Sequence, residues 1–118
     1  MRNKGLDDFL QYQGALGRIA LNAYNEVDPR GHGGHPPHAY LKNASKFVSM
    51  LRGLTGEDKR ISVDIIAEII TRSFSIREVA ENRLSEQDIR RVAAIIACQI
   101  MDFDSCRLIE SVDKRITA

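Results

Sequence analysis

SEQDIRRVAAIIACQIM, residues 85–101, is the stretch whose reading decides the fold. Ser85 followed by Glu86, Gln87 and Asp88 has the form of a helix N-cap with acids in the first turn. Leu84 before the cap and Ile89 after it are spaced as a hydrophobic staple. Beyond the cap, Ile89, Val92, Ala93, Ala94, Ile95, Ile96, Ala97, Cys98, Ile100 and Met101 put apolar groups on nearly every face of a helix. A helix apolar all round is one that is buried, at the centre of a bundle or at a subunit boundary. The expectation is therefore an all-α protein with this helix at its heart.

Working outward toward the N-terminus, Ser75-Ile76-Arg77-Glu78 is a capping-box pattern. It predicts a short helix from about Ile76 to Arg83 that runs into the longer one. Before it, Ser62 is placed as another N-cap, with Ile61 and Ile66 as its staple. Ile65, Ile66, Ile69, Ile70 and Phe74 then form a helical stripe. Val63 and these four isoleucines would also suit a strand, but their spacing favours a helix. Tyr40, Leu41, Ala44, Val48, Leu51 and Leu54 mark an earlier helix, with Gly53 and Gly56 as stop signals. Leu6, Phe9, Leu10, Leu16, Ala20, Ala23, Tyr24 and Val27 mark the first. Gly14 and Gly17 interrupt that pattern, where a kink or a close backbone approach is expected. On the C-terminal side, Asp102 to Ser105 reads as a break with Asp104 as a new cap. Leu108, Ile109, Val112 and Ile116 then suggest a final amphipathic helix. The sum is a compact bundle of five to six helices with one Gly/His/Pro-rich loop, residues 1–118 forming a single helical domain.

The 118 residues carry 17 Lys+Arg against 16 Asp+Glu. That balance lacks the positive excess with which dedicated nucleic-acid binders meet phosphates. No apolar run approaches the roughly 20 residues of a membrane span, so no membrane partner is expected. Met1-Arg2-Asn3-Lys4 leads into polar residues rather than an apolar core, unlike a secretory signal. The expected location is cytoplasmic, with Cys98 and Cys106 reduced and behaving as small buried hydrophobes.

Three features bear on chemistry. His32, His35 and His38 all fall in the breaker segment Asp28-Pro29-Arg30-Gly31-His32-Gly33-Gly34-His35-Pro36-Pro37-His38. Three imidazoles are enough to hold zinc or another transition metal, although Gly and Pro residues do not aim them at one point; a solvated loop is the favoured reading, and a contact loop a third. No other cofactor is expected. Second, residues 75–92 have the outline of a helix-turn-helix, in which Gln87 would meet a base edge and Arg90 and Arg91 phosphates. Glu86 and Asp88 oppose that, and the turn lacks the glycine often found there. Third, Ile89, Val92, Ile96 and Ile100 are candidates for an interface, in a homodimer or with another protein. The carboxylate pairs Asp7-Asp8, Glu57-Asp58 and Asp102/Asp104 lie near expected helix starts, where the helix dipole accounts for them. No catalytic constellation stands out, so the expectation is a small regulatory or binding protein that acts by protein–protein contact, as an inhibitor, adaptor or assembly factor, rather than an enzyme. A DNA-binding regulator and a metal-binding protein are the alternatives.

Overall fold

The computed structural model describes residues 4–29, 40–54, 60–82 and 84–109, with side chains for all of these but 4–13, 54 and 82. Among them are five helices, α1 (Lys4–Val27), α2 (Leu41–Leu54), α3 (Val63–Ser73), α4 (Ile76–Asn82) and α5 (Glu86–Ile100), followed by a hairpin of β1 (Met101–Asp102) and β2 (Arg107–Leu108).

The serines set the helix starts. Ser62 Oγ accepts from the Ile65 N–H at 3.1 Å, and Ser85 Oγ from the Asp88 N–H at 3.0 Å. At Ser75 the box is reciprocal: its Oγ accepts from the Glu78 N–H at 3.0 Å, while Glu78 Oε1 accepts from the Ser75 N–H at 3.1 Å. Each bond satisfies an N–H that the helix itself leaves without a partner. The isoleucine-rich stretch is helix, not strand, and Ile61 and Ile66 both reach the core, as a staple requires.

α1 bends at Gly14, whose φ of 66° and ψ of −147° are not helical. An L side chain is strained there, although an added Cβ would meet no atom within 4 Å. Gly14→Ala is therefore expected to lower stability by about 1–3 kcal/mol, a pure backbone effect. A urea unfolding curve checks it; unchanged or raised stability would mean that the helix runs straight through residue 14 without cost.

α1 packs on α2, α2 on α3, α3 on α5, and α5 back on α1, so four helices close a ring. Inside it lie Leu16, Ala20 and Tyr24 of α1, Phe47, Val48 and Leu51 of α2, Ile66 and Ile70 of α3, and Val92, Ile96 and Ile100 of α5, all fully buried. Each large aliphatic side chain so placed contributes about 1.5–3 kcal/mol. α4 connects α3 to α5, touching the core through half-buried Val79 while Ile76 stands 91% exposed. No helix among the described residues is long and apolar enough to cross a membrane.

Three expectations need correction. First, α5 is amphipathic rather than buried all round: Ala94, Cys98 and Gln99 face outward with Gln87, Arg90 and Arg91. Cys98 is exposed, not buried, because it sits four residues after Ala94 and seven after Arg91, on the same helix face. Second, Ile89, Val92, Ile96 and Ile100 pack inside this chain's own core and present no surface to a partner. Third, residues 102–109 do not begin a helix at Asp104. Met101 pairs with Leu108 and Asp102 with Arg107 in an antiparallel hairpin. Asp102 Oδ1 accepts from the N–H groups of Asp104 and Ser105, at 3.0 and 3.4 Å, and so takes the amides that would otherwise need capping at a helix start. Cys106, at φ 56°, turns the chain back, and its carbonyl accepts from the Ile61 N–H at 2.6 Å. Val112 and Ile116 lie outside the described residues.

Candidate functional site

Two surfaces and one buried cluster bring polar chemistry together. The cluster joins α1 to α4. The Tyr24 hydroxyl meets Ser73 Oγ at 2.5 Å, and Ser73 Oγ donates to the Ile70 carbonyl, also at 2.5 Å. A serine has one proton to give, so Tyr24 is the donor in its bond. Asn43 Nδ2 donates to the Ser73 carbonyl at 3.0 Å and reaches Glu78 Oε2 at 3.4 Å. The rings of Tyr24, Tyr40 and Phe74 pack on one another, with Tyr24 5.7 Å from Tyr40 and 5.6 Å from Phe74. Burial pushes the Tyr24 phenol well above its ordinary pKa, so it stays a protonated donor. This is an arrangement for holding helices in register. Asn43 and Ser73, both buried, carry no hydrophobic signal, and the helical stripes pass over them.

Tyr40 also donates to Asp28 Oδ1 at 2.6 Å, joining the described residues near either end of the Gly/His/Pro segment. Asp28 ends α1 in the left-handed region, at φ 52°, with its N–H on the Tyr24 carbonyl. His32, His35 and His38 themselves lie outside the described residues. Within the described residues no group of His, Cys, Asp and Glu is arranged to hold a metal ion.

The first surface is the outer face of α5. Gln87, Arg90 and Arg91 are exposed on its first turns, as a groove-reading helix would need. The guanidiniums are nevertheless engaged within the chain. Arg90 bonds to Asp64 Oδ1 of α3 at 3.0 Å and to Glu86 Oε1 at 3.3 Å, and Arg91 lies 3.7 Å from Asp88 Oδ1, a loose pair. The bonds to Asp64 and then Glu86 raise the Arg90 pKa further. Three carboxylates thus stand among two guanidiniums, which leaves no positive excess for phosphates. Glu86, Gln87, Arg90, Arg91 and Ala94 share an open, nearly flat patch on this face of α5.

Compared with protein-family models, with curated proteins and with solved structures, the chain matches none.

Beyond the C-terminal end of α5, the hairpin tip forms the second surface. Phe103 is 52% exposed there between the exposed residues Asp102 and Asp104. Hydrogen bonding from Ser105, with help from the Asp104 N–H, holds the Asp102 carboxyl below the usual aspartate range, so the tip stays anionic at neutral pH. The same bonds brace the turn that carries Phe103. Reading residues 102–105 as a plain break misses this residue. The available signal was an aromatic side chain between two aspartates, with an Asp two and three residues before the amides it binds.

Proposed function

We propose that the chain acts by protein–protein contact, as a small binding or regulatory protein of the inhibitor, adaptor or assembly-factor type. The observation that carries this reading is Phe103, a large aromatic side chain standing outward on a turn braced by Asp102. Aromatic anchors of this kind dominate binding energy at protein interfaces, and a braced turn has less conformational freedom to lose on docking. In affinity capture, the wild-type chain is expected to retain a discrete partner that Phe103→Ala releases while its melting temperature stays unchanged. Equal retention by both chains would remove Phe103 from the contact, and no discrete partner for the wild type would overturn the reading.

A second reading, a DNA-binding regulator, is supported by the exposure of Gln87, Arg90 and Arg91 on α5, the helix that follows α4. It requires a salt-dependent shift of duplex DNA that weakens when Arg90 and Arg91 are both replaced by alanine. A metal-binding role for His32, His35 and His38, with zinc or another transition metal, is supported by their spacing alone. Metal content that does not change in the triple alanine variant would end it.

A further inference from the structure

We draw no further inference here: the strongest candidate, the surface patch at the hairpin tip where Phe103 stands exposed between Asp102 and Asp104, belongs to the contact already proposed, and nothing in the structure shows what covers it.

Discussion

Ile96→Ala is expected to destabilise the fold by about 2–5 kcal/mol, read as a fall in the urea midpoint without a change in oligomeric state. Ile96 is fully buried where α5 closes the ring of helices against α1 and α3. Removing its outer carbons loses their transfer energy and leaves a cavity that packed neighbours refill only in part. The contrast is Cys98, two residues along the same helix and exposed. Cys98→Ala should change stability by no more than about 0.5 kcal/mol. An Ile96→Ala variant that keeps its stability but loses self-association would return Ile96 to the surface and invert the assignment of faces on α5.

Tyr24→Ala is expected to cost about 3–5 kcal/mol, the range for truncating a large buried aromatic side chain. Tyr24 is fully buried, packs on both Tyr40 and Phe74, and donates to Ser73 across 49 positions of sequence. Tyr24→Phe separates the two contributions. It keeps the ring and removes the hydroxyl, and Ser73 Oγ keeps its bond to the Ile70 carbonyl. The loss should then be about 0.5–1.5 kcal/mol, one neutral hydrogen bond. Equal losses for the two variants, measured by thermal or urea unfolding, would mean that the hydroxyl and not the ring holds α1 against α3.

The contrast between Ile96 and Cys98 marks where reading the sequence stops. Both sit in one apolar run, and composition assigns them alike. The phase of the helix separates them: Ile89, Val92, Ile96 and Ile100 share a face, and Ala94 and Cys98 lie on the other with Arg91. A small side chain loses little by exposure, so Ala94 and Cys98 give no sequence signal of facing solvent. Asn43 and Ser73 show the reverse, polar residues brought inside because each finds a partner on another element, Ser73 of α3 for Asn43 of α2 and Tyr24 of α1 for Ser73.

The helix starts at Ser62, Ser75 and Ser85 and the isoleucine stripe of α3 were legible in the sequence alone, whereas Gly14 and Gly17 were both open to a kink or a close approach and the structure puts the bend at Gly14. Caps and staples act within about four residues, and neighbouring chain is all they require. The inward face of α5, the burial of Asn43 and the hairpin that ends the described chain were decided by tertiary structure. The hairpin combines a local turn at Asp102 with a bond from the distant Ile61 N–H to the Cys106 carbonyl. That second contact joins residues 45 positions apart, and no pattern of spacing along the chain encodes it. Phe103 stands outward for the same reason: the turn is local, but whether its aromatic side chain finds a place in the core depends on what the other elements have already filled.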